Sequence, residues 1–235
     1  MKIPKIIHQT WKTKEIPYHV YKKEWINSWR EFHPDWEYRL WTDEDNRRFI
    51  EKEYPWFLDI YDHYPREIFR ADAVHYFILY HYGGLYVDLD YVCLKNIEPL
   101  LNDHEVILSF VGKSRMWAHS ISNAIMASAR KTRFWEVVFK ELTAHKMLPQ
   151  VEAATGPIML KNAVSKYRGL WLKSWMTRKP FKNELKIHPG DLLCPLDWRK
   201  HSLQHVQKYP PSAMLENPRL FFAKAYAVTF WAHHY

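Results

Sequence analysis

The segment Gly83-Gly84-Leu85-Tyr86-Val87-Asp88-Leu89-Asp90 constrains the fold of this chain more than any other. Before it, apolar residues at positions 66–82 recur at spacings of three and four, which predicts an amphipathic helix. A glycine pair ends such a helix because glycine adopts backbone conformations that other residues avoid. The apolar residues that follow predict a buried strand that begins where the helix ends.

The Asp-X-Asp of this segment predicts a site for a divalent cation. In a strand, alternate side chains face the same way, so Asp88 and Asp90 would point to one side with Leu89 packed behind them. Paired carboxylates favour Mg²⁺ or Mn²⁺, and such a cation can stabilise a departing nucleotide diphosphate. The alternative is a solvated turn, but the apolar Leu85 and Val87 favour a buried strand.

The remaining segments predict an α/β fold in which strands and helices alternate. Strands are predicted at 3–8, 37–41, 106–110, 185–188, 192–193 and 226–231, and residues 121–128 are predicted as a strand or turn near the far edge of the sheet. Helices are predicted at 20–32, 66–82, 132–145 and 157–166, with Thr155 as a candidate N-cap, and another helix should begin after Thr42. The length of 235 residues and the lack of a linker-like tract predict one domain over 1–235.

Five blocks of the sequence resemble glycosyltransferase family 32. They are IPKIIHQTW at 3–11, PDWEYRLW at 34–41, the region from Arg70-Ala71-Asp72 to Asp88-Leu89-Asp90, Thr155-Gly156-Pro157, and WAHH at 231–234. That family includes bacterial capsule and lipopolysaccharide transferases and fungal mannosyltransferases, and it is related to clostridial glucosylating toxins. The resemblance implies a GT-A type, Rossmann-like fold for nucleotide-diphospho-sugar transfer, with a mixed central sheet.

The resemblance also implies roles for the acidic residues. Asp90 would bind the metal directly, and Asp88 would contact ribose and sugar or reach the metal through water. His233 would complete the metal site, with His234 as the alternative. Asp72 would hydrogen-bond hydroxyls of the transferred sugar. The catalytic candidates are Asp72, Asp88 and Asn123.

The same resemblance assigns the contacts to the nucleotide-sugar donor. They are Gln9, Thr10, Trp11, Arg70, Asp72, His75, Gly84, Tyr86 and Asp88. Trp11 would stack on the nucleotide base, and its alternative role is a core anchor beneath the sheet. His75 stands where the family usually has arginine. Because histidine is only partly protonated near neutrality, we expect donor affinity to fall as the pH rises through the pKa of His75.

Composition narrows the set of partners. The net charge of +8 suits an anionic donor or an anionic membrane surface, but the lysines and arginines are scattered, so we expect no nucleic-acid partner. The two cysteines, Cys93 and Cys194, imply no disulfide framework. The sequence contains no signal-peptide or anchor pattern, which predicts a cytoplasmic enzyme attached peripherally to the inner face of a membrane.

The sequence thus predicts a metal-dependent, retaining hexosyltransferase that uses a UDP- or GDP-sugar and Mn²⁺ or Mg²⁺. Its acceptor would be a glycan or a lipid-linked sugar. One alternative is a haloacid-dehalogenase-like phosphatase, although that class carries its acid-X-acid motif near the amino terminus. The other is a non-catalytic protein that binds carbohydrate or nucleotide through its aromatic side chains.

Overall fold

The computed structural model describes residues 2–113, 117–176, 184–197 and 212–231. Its centre is a six-stranded mixed sheet in the order β2-β1-β3-β6-β5-β7. The strands are β1 (Ile6–Thr10), β2 (Glu37–Trp41), β3 (Gly84–Val87), β5 (Val106–Phe110), β6 (Ile121–Ser128) and β7 (Leu185–His188). Strands β1, β2 and β3 are parallel, and β6 runs antiparallel to both of its neighbours. The parallel half carries the acid motif.

Helices cover both faces of this sheet. They are α1 (Lys23–Phe32), α2 (Asp43–Glu53), α3 (Pro55–Asp62), α4 (Glu67–Tyr82), α5 (Arg133–His145), α6 (Val151–Ala154), α7 (Pro157–Met176), α8 (Gly190–Leu193), α9 (Ser212–Glu216) and α10 (Pro218–Phe221). Side chains of β3 alternate between the two cores, because Tyr86 packs with one cluster and Leu85 and Val87 with the other. In the part of the chain that the structure describes, no helix has the length and apolar composition needed to cross a bilayer.

The exit from α4 fixes how β3 enters the sheet. Gly83 has φ +65° and Gly84 has φ +95°, so both occupy the region that favours glycine. A Cβ at Gly84 would lie 2.5 Å from the Ile6 carbonyl oxygen. The backbones of β1 and β3 therefore approach each other without an intervening side chain.

His8 joins β1 to the glycine pair and to β2. The indole N–H of Trp41 donates to His8 Nδ1 at 3.1 Å, so His8 is the tautomer that donates from Nε2 to the Gly83 carbonyl oxygen at 2.9 Å. Burial lowers the pKa of His8 to about 4, and the ring is neutral near pH 7.

A second, two-stranded sheet pairs β4 (Tyr91–Cys93) with β8 (Ala227–Thr229). Thr229 lies opposite Tyr91, the residue after Asp90, so the antiparallel pairing places the end of β8 beside the acid motif. Trp231 holds an unusual φ of +54°, and its indole N–H donates to the Leu196 carbonyl oxygen at 3.1 Å. The late part of the chain is therefore anchored beside the early acids.

Most predicted elements are confirmed, and three details are wrong. Strand β6 lies inside the sheet rather than near its edge, between β3 and β5. Residues 192–193 belong to α8 instead of a strand. Helix α7 begins at Pro157 and continues to Met176, and the Thr155 hydroxyl lies near Asp72 and Val151 instead of capping this helix. Thr42 does cap α2, in a capping box with Asp45. The single-domain organisation stays a prediction.

Gly84→Ala should lower the free energy of unfolding by about 3 kcal/mol, because the new Cβ combines a positive φ with a clash at the Ile6 carbonyl. Gly169→Ala is the matched control, since a Cβ there meets nothing within 4 Å and lies in α7. The free energy of unfolding of the Gly169→Ala control should rise by up to about 1 kcal/mol. Urea unfolding measures both, and equal stability of the two variants would contradict the close approach.

Candidate active site

The acid motif lies in a turn at the end of β3. The Asp88 N–H donates to the Ala124 carbonyl oxygen at 2.9 Å, and the Tyr91 N–H donates to the Asp88 carbonyl oxygen at 3.2 Å. Leu89 packs with Tyr21 and Ile26. The expectation that Asp88 and Asp90 share one strand is therefore wrong, because β3 ends at Val87. The motif is still placed at the carboxyl end of a parallel strand, where ligands of open α/β sheets bind.

Asp88 is held by the neighbouring strands. The Tyr86 hydroxyl donates to Asp88 Oδ1 at 2.8 Å and lies 3.2 Å from Thr10 Oγ1. The Gln9 amide donates to the Asp88 carbonyl oxygen at 3.2 Å and accepts from the Tyr38 hydroxyl at 2.7 Å. These four side chains thus hold Asp88 in position through direct and relayed hydrogen bonds.

Burial raises the pKa of Asp88 well above its usual value, and repulsion from Asp90 and Asp72 adds to this. The hydrogen bond from Tyr86 acts in the opposite direction. Asp72, Asp88 and Asp90 are therefore close enough to interact electrostatically. A bound cation would stabilise the ionised forms of this group.

Asp72 is the second polar centre. Asn123 Nδ2 donates to Asp72 Oδ1 at 3.1 Å, and the Thr155 hydroxyl lies 3.3 Å from Asp72 Oδ2. Tyr76, one turn further along α4, donates to the Thr155 carbonyl oxygen at 2.8 Å. Burial raises the pKa of Asp72 to about 7 despite the two hydrogen bonds. Its side chain remains partly exposed and can accept hydrogen bonds from a ligand.

Trp11 lies beside the acid turn. Its ring meets Tyr21 edge-on at 5.2 Å between centroids, and both rings belong to the cluster that contains Leu89. Trp11 is half-buried, so it combines packing with an accessible surface. Gln9 and Thr10 are buried and bonded to protein groups. Base stacking by Trp11 stays a prediction.

Arg70 and Gly84 do not join this constellation. The Arg70 guanidinium donates to the Tyr64 carbonyl oxygen at 2.8 Å and to Glu67 at 2.5 Å. It lines a surface cleft of about 630 Å³ together with acidic and basic side chains of α2, α3 and α4. Gly84 is buried against β1, where its role is the close approach of two backbones.

His75 is buried against Tyr86, with 4.5 Å between the ring centroids. Neither ring nitrogen has a hydrogen-bond partner among the residues that the structure describes. Burial lowers the pKa of His75 to about 3, so the ring is neutral near pH 7. The expectation of partial protonation is therefore wrong, and the pH dependence of donor affinity that was predicted from it loses its physical basis. Contact between His75 and the donor stays a prediction.

Tyr38 and Tyr76 are site-supporting residues that sequence reasoning did not assign. Tyr38 lies opposite Ile7 in the β1–β2 register, which places it on the face shared by Ile7 and Gln9. Tyr76 is four residues after Asp72, on the same face of α4. Strand alternation places Tyr38 and helical spacing places Tyr76, but such periodicity alone does not distinguish these tyrosines from core residues.

The residues present fit a divalent cation in part. Asp88 and Asp90 provide hard oxygen ligands, and their mutual repulsion would be relieved by a positive charge. Within the described ranges, however, no group of three or more His, Cys, Asp or Glu residues forms a complete metal site. His233 and His234, predicted as the further ligand and its alternative, lie outside the described residues.

His75→Phe should make the protein more resistant to acid. Because the pKa of His75 is lower in the folded than in the unfolded state, the folded protein loses stability as the pH falls below about 6.5. The variant's gain in unfolding free energy over wild type should therefore grow by about 1.4 kcal/mol for each pH unit below that point. Urea unfolding at pH 7.5 and 5 measures it, with the exposed His19→Phe as control. A gain independent of pH would show that the His75 ring reaches solvent.

Comparison with known proteins identifies the family. Residues 19–107 match the glycosyltransferase sugar-binding region containing DXD motif. Inositol phosphoceramide mannosyltransferase 3 of Schizosaccharomyces pombe is 42% identical over 187 residues, which cover 74% of this chain and 49% of that protein. Mannosyl phosphorylinositol ceramide synthase SUR1 of Saccharomyces cerevisiae is 41% identical over 205 residues, or 85% and 48% of the two chains. The chain thus spans about half the length of these relatives.

A solved structure supports the fold. The PaToxG glycosyltransferase superimposes with a TM-score of 0.55 at 16% identity, over 75% of each chain. The predicted α/β, GT-A type fold with a mixed central sheet is confirmed. The matched region includes both Asp72 and the acid turn. The chain is a member of glycosyltransferase family 32, with Asp88-Leu89-Asp90 as its Asp-X-Asp motif.

Proposed function

We propose that this protein is a metal-dependent, retaining glycosyltransferase that moves a hexose from a nucleotide diphosphate sugar to a glycolipid. The observation that carries the proposal is that β6 brings Asp72 and the acid turn together, because Asn123 donates to Asp72 and the next residue, Ala124, accepts from the Asp88 N–H. Ionised carboxylates are costly to gather in a poorly solvated place. Binding of a cation and of sugar hydroxyls gives them a function that offsets this cost.

The two polar centres would act on different parts of the donor. Asp88 and Asp90 would hold Mn²⁺ or Mg²⁺, which when bound neutralises charge on the diphosphate. Asp72, with Asn123 and Thr155 at hydrogen-bond distance, would orient the sugar through its hydroxyl groups. Trp11 would stack on the base. Positioning and electrostatic stabilisation are then the main contributions of the protein.

Retention of anomeric configuration would follow from attack on the face of the sugar that the diphosphate leaves. The bond from the anomeric carbon to the phosphate oxygen breaks, the bond to the acceptor oxygen forms, and the acceptor proton passes to the departing diphosphate. This route needs no separate protein base. Asp72 would hold the sugar during the exchange.

The names of the relatives guide the choice of substrates. Because they are called inositol phosphoceramide mannosyltransferase and mannosyl phosphorylinositol ceramide synthase, we propose mannose as the sugar and an inositol-phosphate sphingolipid as the acceptor. The nucleotide could be UDP or GDP. A panel of UDP- and GDP-sugars with Mn²⁺, read by thermal shift and then by release of free sugar, identifies the donor.

Asp90→Asn should lower metal-dependent turnover of the donor by about 100-fold or more, because it removes a charged ligand while preserving shape. Asp103→Asn is the matched control, since Asp103 is exposed in a loop outside the site. Release of sugar from the donor that the panel identifies, with and without Mn²⁺, measures both variants. Asp103→Asn should match the wild type.

Three results separate the competing functions. Turnover by Asp90→Asn equal to that of the wild type would contradict the metal-site assignment. Donor binding with no turnover in the wild type would favour a non-catalytic binder. Release of inorganic phosphate from phosphate esters would favour a phosphatase, although Asp88 follows the third strand of this chain, whereas a haloacid-dehalogenase-like enzyme places its acids after the first.

A further inference from the structure

The loop between α5 and α6 exposes two large apolar side chains at its tip. Met147 is 85% exposed and Leu148 is 38% exposed. Pro149 and Gln150 follow, also exposed, before α6 begins. Residues 146–150 are called the tip loop below. Met147 is thus largely in solvent and Leu148 partly so, and adjacent exposed apolar side chains can form an interaction site.

Exposed lysines lie before and at the start of the tip loop, and the nearest acidic residue after it, Glu152, is half-buried. Lys140 and Lys146 are both exposed, and the sequence has no acidic residue between Glu141 and Glu152. Glu141 itself is buried and paired with Lys166 at 2.6 Å. An apolar tip flanked by lysines is complementary to a membrane surface that carries anionic headgroups.

The tip loop is also close to the candidate active site along the chain. The single turn of α6 separates it from Thr155, whose hydroxyl lies 3.3 Å from Asp72. Gly156 continues the contact, because a Cβ there would lie 3.2 Å from Asp72 Oδ2. A surface that holds the tip loop would therefore lie near the sugar-binding acid.

We propose that the tip loop docks the enzyme on an anionic lipid bilayer, with Met147 and Leu148 inserted among the lipids and Lys140 and Lys146 at the headgroups. This inference rests on the proposed function, since a lipid-borne acceptor must be presented at the bilayer surface. Docking through the tip loop brings that surface to the Asp72 side of the molecule. It gives the exposed apolar side chains of the tip loop a function.

A second exposed leucine and methionine provide a matched comparison. Leu172 is 49% exposed and Met176 is 69% exposed, on the late part of α7. Since α7 starts at Pro157 and rises about 1.5 Å per residue, Leu172 lies roughly 20 Å further along the helix than its start beside Asp72. The same two residue types are thus available far from the site.

The test measures binding to vesicles of phosphatidylcholine alone and with phosphatidylserine, by co-sedimentation. The wild type should bind the phosphatidylserine vesicles. The double variant Met147→Ser, Leu148→Ser should bind them at least tenfold more weakly, since insertion of both apolar side chains is lost. The double variant Lys140→Gln, Lys146→Gln should also bind about tenfold more weakly, and only to the anionic vesicles. The control Leu172→Ser with Met176→Ser should bind like the wild type.

The outcomes decide between surfaces. Failure of the wild type to bind either vesicle, or wild-type binding by the tip-loop variant, would overturn the proposal. Loss of binding in the α7 variant alone would assign docking to α7 instead.

A second readout keeps this result separate from the proposed function. Release of sugar from the soluble donor without lipid should be unchanged in the tip-loop variant. Absence of that turnover in the wild type would count against the enzyme assignment, while vesicle binding would still report on the loop.

Discussion

The close approach of β3 to β1 is the constraint on which the rest of the structure depends. It requires glycine at 83 and 84, and it is secured by the neutral imidazole of His8 between Trp41 and the Gly83 carbonyl. Because the backbones meet there, Tyr86 and Thr10 come within hydrogen-bond distance at the carboxyl ends of their strands. The position of Asp88 then follows from the register of the sheet.

Charge burial is concentrated where the fold is most constrained. Burial raises the pKa values of Asp72 and Asp88 because it disfavours the ionised form of each carboxyl group. Hydrogen bonds from Tyr86 and Asn123 offset only part of the desolvation. Stability has thus been given up at the site, as is common where function requires an ionisable group in a poorly solvated place.

Local patterns predicted local structure well. The Thr42 capping box, the helix α4 and the glycine pair that ends it are each encoded within a few residues, and the structure reproduces them. The predicted amphipathic character of α4 is wrong, because every residue from Ala73 to Leu79 is buried. The family resemblance named Asp72 and Asn123 separately as site residues, and the structure places them within hydrogen-bond distance of each other. Predictions failed where tertiary contacts decide. Burial of His75 depends on a strand and a helix packing together, and the central place of β6 depends on strand order. The sequence around these residues encodes neither property.

The pairing of β4 with β8 has a consequence for how the enzyme is made. The acid turn emerges early in synthesis, whereas the strand that lies beside it is among the last described elements of the chain. Contacts between segments so distant form slowly, because a long loop must close first. On the ribosome, the nascent sheet can pair β1, β2 and β3 while the cleft still lacks one wall. Newly made chains would acquire the completed cleft only after Ala227–Thr229 has been synthesised and has paired with Tyr91–Cys93.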